Sequence, residues 1–327
     1  MAVDREELAG QLAVWAIDHY GDGAKTTDLE AMPGHAGLSF GFTVHTPDGR
    51  TDELVMRMPP KGVRRRGNTD VIRQVPLLGA MRRHGVKVAE VRWWSEDERW
   101  FGVPYFMVER LPGTTLNLSE PDPSFAPFDG ARVSDLFGQA VDELVDIHRL
   151  DWRRELADWE PARPLDEEIL FWDPILPKAA QPEWVTMGER TRDLLLANLP
   201  ADPPVGVFHG DFQTSNLLFH DNRLIAVIDW EIAGIGAQLL DLGWLIMMND
   251  GDSWHGGRVT DLIPPFGEIV ARYAAKSGLP LTLDDVAFYR ALSGYRFGVI
   301  SGLNVMLHRT GKRHDPIWEG IALSVPA

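Results

Sequence analysis

Between two long stretches of helical periodicity the chain carries one short β-rich island, residues 205–230, and this segment limits the fold more than any other. An apolar strand, Val207-Phe208, runs into His209-Gly210-Asp211, and Asn216 follows five residues after Asp211. An apolar hairpin then delivers Asp229, eighteen residues after Asp211. Short polar side chains therefore stand at the ends of apolar strands, where a rigid scaffold presents loop residues for chemistry.

The flanks supply the rest of the architecture. Residues 4–20 space Leu8, Leu12, Trp15 and Ile17 as one helical face. Strand-like runs at 38–44 and 54–58 are joined through Pro47-Asp48-Gly49-Arg50, a hairpin turn sequence. Residues 68–85 read as a helix closed by Gly85, and 86–94 and 103–109 as strands around the charged turn 95–99. A Pro- and Asp-rich linker occupies 111–130. Beyond it, helical patterns cover 131–150, 165–179, 182–199, 239–248, 265–277 and 284–309. The predicted class is α+β: a small β-rich N-terminal lobe, residues 1–110, and a larger, mostly helical lobe, residues 111–327. A length of 327 residues suits two cores better than one.

Charge narrows the partners. The chain has a net charge of −16. Residues 1–110 hold 15 Lys+Arg against 16 Asp+Glu, and the remainder 17 against 32. That acidity argues against nucleic acid, whose phosphates need basic partners. It fits either a cationic small molecule drawn in by steering or a solvated acidic face. The absence of cysteine excludes disulfides, thiolate metal sites and a cysteine nucleophile. The N-terminus has no basic region followed by an apolar core, and no apolar run approaches the roughly 20 residues that span a bilayer. A soluble, cytoplasmic protein with no membrane partner is expected.

Phosphoryl transfer demands positioning more than covalent chemistry. A carboxylate must orient the attacking hydroxyl and accept its proton, and hard oxygen ligands must hold magnesium against the phosphates. Asp211, Asn216 and Asp229 supply that set. The plainer alternative is that His209 and Asp211 cap a turn and Asn216 closes a loop.

The pattern His209-Gly210-Asp211, Asn216 and Ile228-Asp229 resembles the signature of the aminoglycoside phosphotransferase family, relatives of choline kinases and protein kinases. The resemblance implies a bilobal, protein-kinase-like fold. It also implies transfer of the γ-phosphoryl of a magnesium-bound nucleoside triphosphate, ATP or GTP, to a hydroxyl of a small molecule. Asp211 would be the catalytic base, His209 its buttress, and Asn216 and Asp229 the Mg2+ ligands. Asp241-Leu242 resembles the family's element that steadies the catalytic loop, although Gly236-Ala237-Gln238 stands where Gly-Asp-Pro is common.

On the nucleotide side, the glycine-bearing hairpin through Gly37, Ser39 and Gly41 sits where the family covers the phosphates. Val55-Met56-Arg57-Met58-Pro59-Pro60 resembles the phosphate-binding strand of family members related to domains fused to acyl-CoA dehydrogenases, with Arg57 as the cation. Gln74 occupies the position of its usual glutamate partner, which leaves open an altered active arrangement, another acid such as Asp70, or reduced activity. Phe106-Met107-Val108-Glu109-Arg110-Leu111 resembles the hinge that reads the adenine edge through backbone groups of Glu109 and Leu111. Residues 61–66 form a basic run better read as a solvated loop than as a phosphate contact. Acceptor candidates are Trp230, Glu231, Asp250, Asp252, Trp254, Tyr289, Tyr295, Arg296 and Asn304. A pseudokinase that binds nucleotide or metabolite without transfer is the competing expectation, motivated by Gln74 and Ala237.

Overall fold

Asp4 starts the first helix: its carboxylate accepts from the backbone N–H groups of Glu6 and Glu7, which a helix start leaves without partners. The computed structural model describes residues 4–32, 38–62, 65, 67–257 and 261–325. The chain divides into two units, the first comprising Met1–Gly113 with Ile225–Ile232, the second Thr114–Leu224 with Ala233–Ala327.

In the first unit, α1 (Arg5–Tyr20) buries Leu8, Leu12, Trp15 and Ala16. Five strands, β1 (Lys25–Ala31), β2 (Leu38–His45), β3 (Thr51–Met58), β4 (Val91–Ser95) and β5 (Tyr105–Glu109), form an antiparallel sheet in the order β1-β2-β3-β5-β4. Phe42, Leu54, Met56 and Met107 pack with Trp15 in one core. Each such side chain, once buried, contributes about 1.5–3 kcal/mol. The Trp15 indole N–H donates to the Tyr105 hydroxyl at 2.8 Å, so the one polar atom of that ring is satisfied inside.

In this unit two local expectations shift and one strand goes unread, each for an identifiable reason. The helix expected over 68–85 begins as two 3-10 turns, and α2 proper (Gln74–His84) starts late enough to keep Pro76 in its first turn, where a missing N–H is harmless. The strand expected over 86–94 begins only at Val91, because the Val86 N–H is spent on the Met81 carbonyl and the Lys87 carbonyl accepts from Val227. β1 escaped the sequence reading altogether. It is polar, Asp28 takes a φ of +57°, and its register slips between Thr27 and Glu30, so the alternation that marks a strand is broken.

The second unit is mostly helical: α3 (Gly130–His148), α4 (Trp152–Glu155), α5 (Leu165–Leu170), α6 (Pro182–Ala197), α7 (Leu239–Asn249), α8 (Phe266–Ser277), α9 (Leu283–Arg309) and α10 (Ile317–Ala322). Short strands β6 (Thr114–Thr115) and β8 (Leu217–His220) pair, as do β7 (Val205–Phe208) and β10 (Gly234–Ala237); β9 (Arg223–Val227) carries the chain from the second unit into the first. The helix expected over 165–179 stops at Leu170, because Pro174 and Pro177 cannot continue it. α7 lies against α9 at Gly243, where an added Cβ would come within 2.4 Å of the Tyr289 carbonyl carbon. Only glycine permits that approach. Among the described residues no helix is long and apolar enough to cross a membrane.

Candidate functional site

The His209-Gly210-Asp211 motif lies in the second unit and is built on a buried carboxylate. β7 ends at Phe208, and the next two backbone N–H groups, those of His209 and Gly210, both donate to Asp241, at 2.6 Å and 2.7 Å. Gly210 takes a φ of +87°, a conformation glycine adopts without strain, and so turns the chain sharply away past the clamp toward Asp211. Asp241 is fully buried and also contacts His148 Nε2 at 3.2 Å; His148 Nδ1 is 2.7 Å from the Tyr273 hydroxyl. Burial raises the Tyr273 phenol well above its ordinary value.

Past this clamp the chain folds back on itself. The Asp211 N–H donates to His209 Nδ1 at 3.2 Å. One Asp211 carboxylate oxygen accepts from Gln213 Nε2 at 2.7 Å, and the other from Asn216 Nδ2 at 2.8 Å; that amide also donates to the Asp211 carbonyl. The carboxylate is therefore held by both oxygens. Gln213 was missed from sequence, since a glutamine two residues past an aspartate carries no signal of its own.

A buried cation faces this loop. Arg296 of α9 is 1% exposed and sits between the rings of Trp172 and Trp244, at 5.1 Å and 5.3 Å from their centroids. Its Nε lies 3.5 Å from Glu168, an ion-pair contact too long for a hydrogen bond. Burial pulls its pKa down, while the carboxylates of Glu168, Asp241 and Asp211 push it back. The loop's acids thus sit in the field of a buried guanidinium.

In the first unit, Arg57 of β3 stands opposite Ser39 of β2. Its Nη2 donates to Asp229 at 2.9 Å and to Glu231 at 3.2 Å. The Glu231 carbonyl in turn accepts from Arg73 at 3.0 Å. Asp229 adopts a φ of +68°, a conformation that few non-glycine residues take and that aspartate tolerates better than most. These contacts account for the missing glutamate: Gln74 is buried at 2% exposure, and the acids on Arg57 come from the far end of the sequence. Arg57 Nε is also buried, with no hydrogen-bond partner among the described residues.

The remaining candidates fall into place less productively. Gly37 and residues 63, 64 and 66 of the basic run lie outside the described residues, while Lys61 of that run pairs with Glu7. The Glu109 side chain accepts from the Glu90 N–H at 2.9 Å and pairs with Arg82 and Arg92, while its own N–H donates to the Glu90 carbonyl; Leu111 follows, half-buried, just past β5. Trp230 donates to the Val227 carbonyl, and Trp254 to that of Met248, so both rings serve packing. Asp250 caps a 3-10 turn and bonds Arg290, and Asn304 is held by Arg313. Among the described residues no three His, Asp or Glu side chains converge as a ready-made metal cage. Asp229 in the first unit and Asn216 in the second each carry a side-chain oxygen of the kind a hard cation such as magnesium accepts.

An Arg57→Ala variant isolates the cation. On the expectation that Arg57 holds phosphate oxygens, and with charge-assisted hydrogen bonds worth about 1.5–3 kcal/mol, nucleotide affinity should fall by on the order of 10- to 100-fold. Arg57→Lys should recover only part of this, because an ammonium lacks the planar fork. Calorimetric titration of both variants with ATP checks the order; equal affinity for wild type and Arg57→Ala removes Arg57 from the nucleotide site.

Comparison with known proteins bears on the fold and the family. The mouse acyl-CoA dehydrogenase family member 10 is 25% identical over 260 residues, covering 76% of this chain and 24% of the relative. The human acyl-CoA dehydrogenase family member 11 is 25% identical over 266 residues, 76% of this chain and 33% of the relative. The chain thus spans a quarter to a third of the length of these relatives. A solved Ralstonia eutropha protein, provisionally classed as an aminoglycoside phosphotransferase, superposes with a TM-score of 0.74 at 22% identity, covering 98% of this chain and 94% of that one. An aminoglycoside phosphotransferase solved with AMP-PNP and hygromycin B superposes at 0.60 with 15% identity, covering 97% and 98%. The α+β fold is the protein-kinase-like one of these phosphotransferases. The family model for the phosphotransferase enzyme family matches residues 31–282, and the chain belongs to that family.

Proposed function

We propose that this chain is a kinase that moves the γ-phosphoryl group of a magnesium-bound nucleoside triphosphate to a hydroxyl of a small molecule. The observation that carries the reading is the Asp211 carboxylate, gripped through both oxygens by Gln213 and Asn216 on a loop clamped by Asp241. A base must be held in one orientation to accept a proton as the hydroxyl oxygen attacks phosphorus. In the proposed reaction the new oxygen–phosphorus bond forms as the bond from the γ-phosphorus to the β–γ bridging oxygen breaks, and Asp211 takes the hydroxyl proton. Arg57, with a buried N–H still to be satisfied, would bind phosphate oxygens, and the Ser39 hydroxyl on the paired strand would donate to them. Asn216 and Asp229 are the proposed magnesium ligands; the ion, when bound, neutralises charge on the phosphates. Backbone groups of Glu109 and Leu111 are the proposed contacts to the base.

Nucleotide titrations with and without magnesium, run with ATP and GTP, test the donor side. A mass screen for phosphoryl gain over a broad hydroxyl panel tests transfer. Magnesium-dependent binding with transfer supports the kinase. Nucleotide binding with no transfer to any acceptor on the panel supports the pseudokinase that Gln74 and Ala237 motivate.

A further inference from the structure

Two acids hold Arg57 through a single nitrogen. Nη2 carries two N–H groups, enough to serve Asp229 Oδ1 at 2.9 Å and Glu231 Oε2 at 3.2 Å together. The three residues belong to the first unit, and the acids differ in how they are placed. The Glu231 side chain is the more enclosed, 15% exposed against 29% for Asp229, so its longer contact is the less screened by water. Its backbone is pinned as well. The Glu231 carbonyl accepts from Arg73 at 3.0 Å, and Trp230 just before it is buried, with its indole N–H given to the Val227 carbonyl at 2.9 Å. Asp229 instead holds a φ of +68°, a strained conformation of the kind that clusters at ligand clamps and switch segments.

A cation that grips phosphate needs an anion to fix its direction, and in protein kinases that anion is a glutamate on the helix after the strand. Here α2 opens with Gln74, and among the described residues neither Gln74 nor Asp70 bonds Arg57. Asp229 cannot fill the post alone. Its Oδ1 cannot serve a guanidinium and a hard cation at full strength together, so as Asp229 turns to magnesium its bond to Arg57 weakens.

We propose that Glu231 is the positioning residue of this site, keeping Arg57 aimed at the phosphates while Asp229 turns to the metal. The inference rests on the phosphotransferase reading. Glu231 is already on the same nitrogen, so the handover needs no rearrangement of the guanidinium. The cation and the proposed metal ligand are thereby governed by one short segment, residues 229–231, and the aim of Arg57 does not depend on an acid from α2.

The test titrates the full chain with ATP and with adenosine by calorimetry, with and without magnesium. Glu231→Gln is nearly isosteric but uncharged. It should weaken ATP about three- to tenfold with magnesium and by under about twofold without it, because Asp229 then still holds Arg57. Adenosine, which has no phosphate, should bind as it does to wild type; a general loss of structure would not spare it. In an Arg57→Ala background Glu231→Gln should have no further effect, since the cation it positions is gone. Asp70→Asn should bind ATP as wild type does. Should Glu231→Gln not fold, Glu231→Asp decides: it keeps the charge on a shorter arm and should lose about two- to fourfold in ATP affinity with magnesium. Unchanged ATP affinity in the Glu231 variant, an equal loss for adenosine or without magnesium, or a matching loss in Asp70→Asn overturns the role of Glu231 and leaves the kinase reading standing. Absence of ATP binding by the wild-type chain overturns both.

Discussion

Asp211→Asn should lower kcat by about a hundred- to ten-thousandfold and leave the dissociation constant for ATP within a few-fold of wild type. The substitution is nearly isosteric. The asparagine side-chain oxygen can still accept from one of the two amides that hold the carboxylate, Gln213 Nε2 or Asn216 Nδ2, so the loop retains most of its shape. What disappears is the capacity to take a proton from an attacking hydroxyl. A loss confined to kcat separates a base from a binding group, because removal of an interaction made equally in ground and transition states would raise KM instead. Steady-state kinetics on the first active acceptor, together with calorimetric ATP titration, give both numbers. Full turnover in the variant would remove Asp211 as the base. A parallel Gln213→Ala variant should show a smaller fall in kcat, since it frees one carboxylate oxygen to rotate without removing the proton acceptor.

The loop was legible in sequence because its parts are local. His209, Asp211 and Asn216 lie within eight residues, and the apolar runs on either side declare the strands that hold them. The strand–turn–strand of β2 and β3 was readable for the same reason. Contacts that close over long separations were not. Arg57 meets Asp229 and Glu231 more than 170 residues away, and no periodicity announces that pairing, so Gln74 looked like a missing charge when the charge came from elsewhere. Glu231, set down as an acceptor contact, is found on Arg57. β10 was invisible because Gly234-Ile235-Gly236-Ala237 has one β-former in four residues; its place beside β7 rests on room for the backbone. Arg296 reads in sequence as an acceptor contact, and only folding reveals that it is buried between two tryptophan rings.

Asp241→Asn should be the most destabilising conservative change in the second unit, lowering its Tm by roughly 6–12 °C, equivalent to about 3 kcal/mol for a unit of this size. A fully buried carboxylate survives only when donors surround it, and here two backbone N–H groups and His148 do so. Asparagine offers one acceptor oxygen where two were used. Its NH2 must then point a donor at the N–H of His209 or Gly210, leaving a buried donor unsatisfied, and each lost bond to a charged acceptor is worth about 1.5–3 kcal/mol. The same change relaxes the turn that aims Asp211, so kcat should fall even at temperatures where the variant is folded. His148→Gln distinguishes the two effects: it removes the side-chain contact to Asp241 but leaves both backbone bonds, so stability should drop while kcat largely holds. Thermal unfolding followed by far-ultraviolet circular dichroism, with kinetics measured well below Tm, reads both. An Asp241→Asn protein that melts within about 2 °C of wild type with unchanged kcat would show that the buried carboxylate does not set the loop.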